Sequence, residues 1–301
     1  MATLRDIRRR IRAVNNIQQI TRAMYMVATA KLKRAEEQAR AGRPYAAKLR
    51  ELINRVAGAV QDYSHPLLER REQERRVLLV LITADRGLAG AYNANLIRAA
   101  QRALRELEGK DVTLMAVGRR GREFFRRTGI AMVRDELDLG ETIEFAKARD
   151  IARACKEAFQ SGQADRVLLV YSQFVSAVSQ RPVVETLLPV GGVEAATPAA
   201  GAARAEDPAA GDPYRREYLF EPSAAAILDQ LLPRYVETVV YRALLEAKAS
   251  ELGARMTAMK NATDNAEELV ETLTLQMNRA RQTAITTEIA EIVGGAEALK
   301  G

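Results

Sequence analysis

The sequence predicts an α/β protein: a long antiparallel coiled coil of its N- and C-terminal helices plus a central Rossmann-like α/β domain. Three observations predict it. Apolar residues recur at steps of three and four near both ends of the chain. A continuous apolar run, Val77 to Ile82, opens a middle segment where strand and helix patterns alternate. Glycine and proline fall in clusters, as punctuation between these blocks.

Residues 1–61 form the first arm. Leu4, Ile7, Ile11, Val14, Ile17, Ile20, Met24 and Val27 place one apolar face on a helix. The stripe thins after Lys31, and Gly42 with Pro44 are expected to interrupt or kink the arm. It resumes through Tyr45, Leu49, Leu52, Ile53 and Val56.

Residues 76–190 form the α/β domain. Strands are expected at Val77–Ile82, Val112–Val117, Ile130–Val133 and Val167–Tyr171, and helices at Asn93–Leu107, 119–128 and Glu141–Gln160. Phe174–Ser179 and Val183–Leu188 flank Arg181-Pro182 and read as a hairpin. Residues 194–213, rich in Ala, Gly and Pro, read as a flexible surface insertion with no core to build.

Residues 222–295 form the second arm, with a bend expected near Pro233 and a stop at Gly294-Gly295. Met256, Met259, Thr263, Ala266, Val270, Leu273, Met277, Ala280, Ala284 and Thr287 alternate steps of three and four, a heptad seam. The 3.5-residue period predicts a left-handed supercoil, and the first arm is the expected partner. At ~1.5 Å per residue, Ser223 to Val293 would run roughly 105 Å, so this helix must project beyond the α/β body.

Composition narrows the function. The 301-residue chain carries a net charge of +7, and residues 1–40 alone hold ten Lys/Arg against three acids. A basic helix of this kind suits an acidic protein partner, nucleic acid or plain solvent. No run of eighteen apolar residues is present, and the N-terminus has no apolar signal stretch, which points to a cytosol-facing protein. The single cysteine excludes an internal disulfide framework and a Cys-rich metal site.

Few residues are suited to catalysis. His65 is the sole histidine and sits beside Pro66 in an expected turn. Cys155 falls within an amphipathic helix as a small packing residue. The loop Asp85-Arg86-Gly87-Leu88-Ala89-Gly90 follows the first strand, where glycine N–H groups can hold phosphate. It lacks the dinucleotide fingerprint and the P-loop lysine, and a tight strand-to-helix turn is the better reading. No cofactor or metal is expected. A nucleotide-using α/β enzyme and a basic coiled-coil nucleic-acid binder remain as alternatives. The first lacks a phosphate fingerprint, and the second lacks interleaved aromatics for base stacking.

Long ordered motifs carry a resemblance. Leu4-Arg5-Asp6-Ile7-Arg8, Ile20-Thr21-Arg22-Ala23-Met24 and Met26-Val27-Ala28 open the chain, and Ile82 to Asn93 marks its interior. Tyr218-Leu219-Phe220-Glu221-Pro222, Ala262-Thr263-Asp264-Asn265-Ala266, Asn278-Arg279-Ala280-Arg281-Gln282 and Glu291-Ile292-Val293-Gly294-Gly295 follow. Together they resemble the gamma subunit of F-type ATP synthases over residues 4–300, the insertion excepted. That family often has Ser and Cys where Ala84 and Ala89 stand here.

The resemblance implies a non-catalytic rotor shaft turning inside a hexamer of alpha and beta subunits. Its foot would rest on the c-ring beside the epsilon subunit, peripheral to the cytoplasmic side of the membrane, with no nucleic acid. Arg255, Gln282, Thr286 and Glu288 match family positions that meet the beta catch loops. Met24 with Arg9, Arg10 and Arg22 match the face toward an acidic beta segment. Tyr171, Gln173, Phe174 and Gln180 match the stretch that touches epsilon and the ring. The insertion lacks the paired cysteines of the chloroplast form, so thiol switching is not expected.

Overall fold

The computed structural model describes residues 3–58, 65–71, 73–191 and 223–298. The insertion expected at 194–213 lies outside them. Helix α1 spans Leu4–Gly58 and helix α5 spans Ala224–Ala298. At ~1.5 Å per residue the 75-residue α5 is roughly 110 Å long. Between them come β1 (Arg76–Ile82), α2 (Tyr92–Glu106), β2 (Asp111–Val117), α3 (Arg119–Phe125), β3 (Met132–Glu136), α4 (Phe145–Gln160), β4 (Arg166–Phe174) and β5 (Gln180–Leu188).

Helix α1 starts with a reciprocal cap. The Thr3 N–H donates to Asp6 Oδ2 at 3.2 Å, and the Asp6 N–H donates to Thr3 Oγ1 at 3.3 Å. Of the interruption or kink expected at Gly42 and Pro44, the interruption is absent: the helix runs continuously through both. An interior proline costs about 3 kcal/mol. The turns beyond it bury Leu49, Ile53, Val56 and Ala57, which offsets that cost. Helix α5 contains Pro233, where a bend is expected, within its length, and it runs past the stop expected at Gly294-Gly295 to Ala298. Glycine lowers helix propensity by about 1 kcal/mol per residue, too little to dictate a stop at the end of so long a helix.

The two helices form an antiparallel pair with a heptad seam. On α5 the buried set is Leu252, Met259, Ala266 and Leu273, seven residues apart. On α1, Ile7, Thr21, Ala28 and Ala35 keep the same period, with Val14 half-buried between them. Much of this seam is small, which draws the helices close. The stripe expected on α1 follows it as far as Val14 and then departs. Ile17, Ile20 and Val27 are 52%, 59% and 53% exposed, because a 3.5-residue period selects Gln18, Thr21 and Ala28 instead.

The sheet order is β3-β2-β1-β4-β5, parallel except for the antiparallel β4–β5 hairpin. Successive residues of β1 face opposite sides. Leu78, Val80 and Ile82 pack with α4 and the α1–α5 shaft, whereas Val77, Leu79 and Leu81 pack with α2 and Phe125 of α3. The hairpin turn falls at Val175–Ser179, not at Arg181-Pro182, which belong to β5. Pro182 is tolerated there because β5 is an edge strand. Strand β3 begins two residues later than expected, and α4 begins at Phe145 rather than Glu141.

A buried carboxylate clasps the start of the sheet. Asp165 accepts the Arg75 and Arg76 N–H groups at 3.0 and 2.8 Å and the Arg71 guanidinium at 2.6 Å. Arg71 also donates to the Phe159 carbonyl and stacks over its ring.

Candidate functional site: partner-contact surfaces

In an open α/β sheet, ligands bind where the strand order reverses, outside the carboxyl ends of the strands. Here that point lies between β1 and β4, where the loop Asp85–Gly90 leaves β1. The loop is consumed by internal contacts. The Asp85 carboxylate accepts backbone N–H groups from Arg119 (3.0 Å), Asp138 (3.3 Å) and Leu139 (3.2 Å). Thr83 Oγ1 accepts the Gly121 N–H at 2.9 Å, and Asn93 Oδ1 accepts the Ala84 N–H at 3.0 Å. Gly118 sits at φ +96°, where an added Cβ would lie 2.1 Å from the Thr83 carbonyl oxygen.

Helix α5 then covers the crevice. Arg255 donates to the Gly87 carbonyl at 3.0 Å and pairs with Glu251 at 2.8 Å. Buried Tyr92 donates its hydroxyl to the Ala247 carbonyl at 3.0 Å, and burial raises its pKa well above the usual tyrosine value. The space left beside Asp85, Tyr92 and Glu251 is about 20 Å³, the size of a water, not of a nucleotide. The crevice where such folds bind ligands therefore anchors the foot to the shaft. This agrees with the tight-turn reading of the loop.

The residues matched to beta contacts are spread along the shaft. Arg9, Arg10 and Arg22 are exposed on α1, and Met24 is half-buried beside the seam. Gln282, Thr286 and Glu288 are exposed on the last turns of α5. Arg255 differs from these: its side chain is 15% exposed, held by Gly87 and Glu251. The seam expected on α5 holds to Ala280, but Ala284 and Thr287 are exposed because α1 ends opposite Ala280. About eighteen residues of α5, roughly 27 Å, extend past it.

The residues matched to epsilon and the ring surround the β4–β5 turn. Tyr171 is buried and donates to Glu185 at 3.0 Å, and burial raises its pKa. Arg242 pairs with the same Glu185 at 2.9 Å. Phe174 packs with Leu32, Ala35, Ala249 and Leu252. Gln180 donates to the Ala177 carbonyl at 2.9 Å and shapes the turn. Gly253 lets that turn abut α5, since a Cβ there would lie 2.9 Å from the Ala177 oxygen. Only Gln173 of the four is exposed, joined by Val175 and by Val178, which is 75% exposed.

Neither reactive candidate sits in a reactive setting. His65 accepts the Leu67 N–H on Nδ1 at 3.1 Å, as a turn residue. Cys155 is fully buried, and burial pushes its thiol up to about 12. Among the described residues no group of acids, His and Cys could hold a metal, and no helix is long and apolar enough to cross a membrane.

The ATP synthase family model matches residues 3–299. The chain is 52% identical over 300 residues to the ATP synthase gamma chain of Desulfitobacterium hafniense, covering all of both chains. It is 53% identical to that of Moorella thermoacetica, also over the full length of both. The chain belongs to the ATP synthase gamma chain family. Solved structures agree with this membership. A central stalk and c-ring structure of the Tetrahymena thermophila mitochondrial ATP synthase holds a chain 25% identical, with a TM-score of 0.60, over 81% of this chain and 99% of that one. A chain of the Euglena gracilis mitochondrial ATP synthase shares the fold with a TM-score of 0.67 at 21% identity, over 98% and 94%. Gamma-chain membership explains a sheet whose ligand crevice is spent on fixing a rod.

The sequence reading missed the exposed apolar residues beside the seam: Ile17, Ile20, Met26 and Val27 on α1, and Ile285, Ile289, Ile292 and Val293 on α5. The signal was available, since each lies off the 3.5-residue period that the buried residues keep.

Proposed function

We propose that this chain is the central rotor shaft of an F-type ATP synthase. It couples ion flow through the c-ring to ATP synthesis or hydrolysis in the alpha/beta hexamer. The observation that carries the reading is the shape of α5. One helix is fixed to the foot at Ala247 and Arg255 and runs on past the end of its partner helix. A rod of this kind transmits torque between bodies at its two ends and performs no chemistry itself. The catalytic sites belong to the beta subunits, and the shaft is peripheral to the cytoplasmic side of the membrane through the complex.

The contacts follow from the surfaces. Arg9, Arg10, Arg22 and Met24, with Gln282, Thr286 and Glu288, meet the beta subunits, and Arg255 does so from within its clasp. The exposed Ile17, Ile20 and Val27 and the apolar face of the α5 overhang run against the hexamer's inner wall, since exposed apolar patches mark partner surfaces. Tyr171, Gln173, Phe174 and Gln180 form or shape the epsilon and c-ring contact. The tagged chain should bring alpha, beta, epsilon and c subunits out of membranes. Reversing Arg9, Arg10 and Arg22 to Glu should lower the ATPase rate of the complex and change its salt dependence. Exposed pairs contribute ~0–1 kcal/mol each, so the triple change is needed. Recovery of the chain without those subunits would overturn the proposal.

A further inference from the structure

A cavity of about 950 Å³ lies between α1, α4 and α5, lined by none of the residues assigned above to partners. Three aromatic residues stand in its lining. The rings of Phe145 and Tyr241 meet edge to face with centroids 5.3 Å apart, and Tyr45 lines the α1 side. Its charge is positive. Arg149 of α4 and Arg234 of α5 both line it, and no ion pair among the described residues engages either one. The carboxylate in the lining, Glu237, is held by Lys156 at 2.8 Å, and Asp150, next to Arg149, is held by Arg153 at 2.8 Å. Two guanidinium groups are thus left beside a half-open space with three aromatic residues in its lining.

We propose that this cavity binds a small planar aromatic anion. The volume falls in the range of ligand pockets, ~300–1,000 Å³. Rings stack edge-on or offset against Phe145 and Tyr241. An acidic substituent takes the forked donors of Arg149 and Arg234, which match carboxylate, sulfonate and phosphate oxygens. A neutral aromatic would leave both arginines without an acceptor, and a bare inorganic anion would leave the rings unused. The bound molecule would bridge shaft and foot, because its walls come from α1, α4 and α5.

The test is calorimetric titration of the full chain with 8-anilinonaphthalene-1-sulfonate, with neutral N-phenyl-1-naphthylamine and inorganic sulfate as controls. The expected result is one saturable sulfonate site per chain, with weaker binding of both controls. Arg149→Gln with Arg234→Gln should weaken sulfonate binding about tenfold, as for charged hydrogen bonds, and leave the neutral probe unchanged. Both arginines are exposed, so the variant should keep its circular dichroism melt, and each single variant should show part of the loss. Equal affinity for the neutral probe, sulfate binding as tight as the aromatic sulfonate, or wild-type affinity in the double variant would each overturn the proposal. None of these outcomes bears on co-purification with the other subunits.

Discussion

The hydroxyls of Thr21 on α1 and Thr263 on α5 lie 2.8 Å apart, one donating to the other across the seam of the shaft. Each also reaches a carbonyl of its own helix, Gln18 for Thr21 and Met259 for Thr263. A hydroxyl pair in the seam favours one register, because a slip breaks the cross-helix bond and sets each hydroxyl against apolar side chains while leaving it only its own-helix carbonyl. In an antiparallel pair, stepping back from Thr21 to Leu4 steps forward from Thr263 to Ala280. That alignment explains why residues 281–295 are exposed throughout.

Seam and overhang should therefore respond differently to added bulk. Ala266→Leu inserts three carbons between closely packed helices and should destabilise the isolated chain by ~1–3 kcal/mol. Ala284→Leu, beyond the end of α1, should leave the melt unchanged. Circular dichroism melts of the two variants test the register, and equal losses would show that the pairing extends past Ala280.

The Asp165 clasp sets a pH dependence. Burial alone would raise this carboxyl, but the Arg76 N–H and the Arg71 and Arg76 guanidinium groups outweigh it and hold the pKa well below the usual carboxylate range. A depressed native pKa contributes stability that is complete above the ordinary value of 3.8 and is lost as pH falls toward the native one. Asp165→Asn should cost about 2 kcal/mol at pH 7, less than a fully dry pair because Arg76 is half exposed. Urea titrations from pH 7 to pH 2 should show the gap between variant and wild type closing below pH 4.

Gly118 is the least replaceable glycine of the foot. Alanine there would need a positive φ and would place a Cβ 2.1 Å from the Thr83 carbonyl oxygen. The clash is with backbone, so β1 and β2 must part for it to be relieved. Gly118→Ala should lose at least about 3 kcal/mol or fail to accumulate in soluble form. Gly109→Ala, also at positive φ but with no atom within 4 Å, should cost about 1 kcal/mol by urea titration.

Much of this architecture was legible in the sequence, and its errors share a cause. The apolar run Val77–Ile82 is the buried strand β1, and the residues spaced from Met256 to Met277 lie along the seam, as their patterns predict. Reading apolar residues alone failed on α1, where the seam takes Gln18, Thr21 and Ala28 while Ile17, Ile20 and Val27 face outward. Period decides the face, and side-chain polarity is a weaker guide where a partner can cover the outside. Local propensity suggests an interruption or kink at Pro44 and a stop at Gly294-Gly295, and long-range packing and helix length override the interruption and the stop. The docking of the Asp85–Gly90 loop under α5 joins residues some 160 positions apart and leaves no local pattern to read.

Arg255 gives the last test, because the family resemblance turns it toward a partner while the structure turns it inward. Its guanidinium bonds the Gly87 carbonyl and the largely buried Glu251, so removing it leaves that carboxylate only the longer contact to Lys248, at 3.6 Å. Arg255→Ala should lower the stability of the isolated chain by ~1–2 kcal/mol. Arg255→Lys should restore only part of it, since the shorter lysine side chain falls short of the Nη2 position from which both bonds are made. A double-mutant cycle with Glu251→Gln isolates the pair, and a coupling of about 1 kcal/mol is expected. The same variants in the assembled complex separate the two roles. If Arg255→Ala lowers the ATPase rate and Glu251→Gln does not, the arginine acts on the beta subunits beyond its clasp. Equal rates would make it a residue that only fastens shaft to foot. Zero coupling in the isolated chain would mean that the guanidinium leaves Glu251 in solution, and the inward geometry would be the minor state.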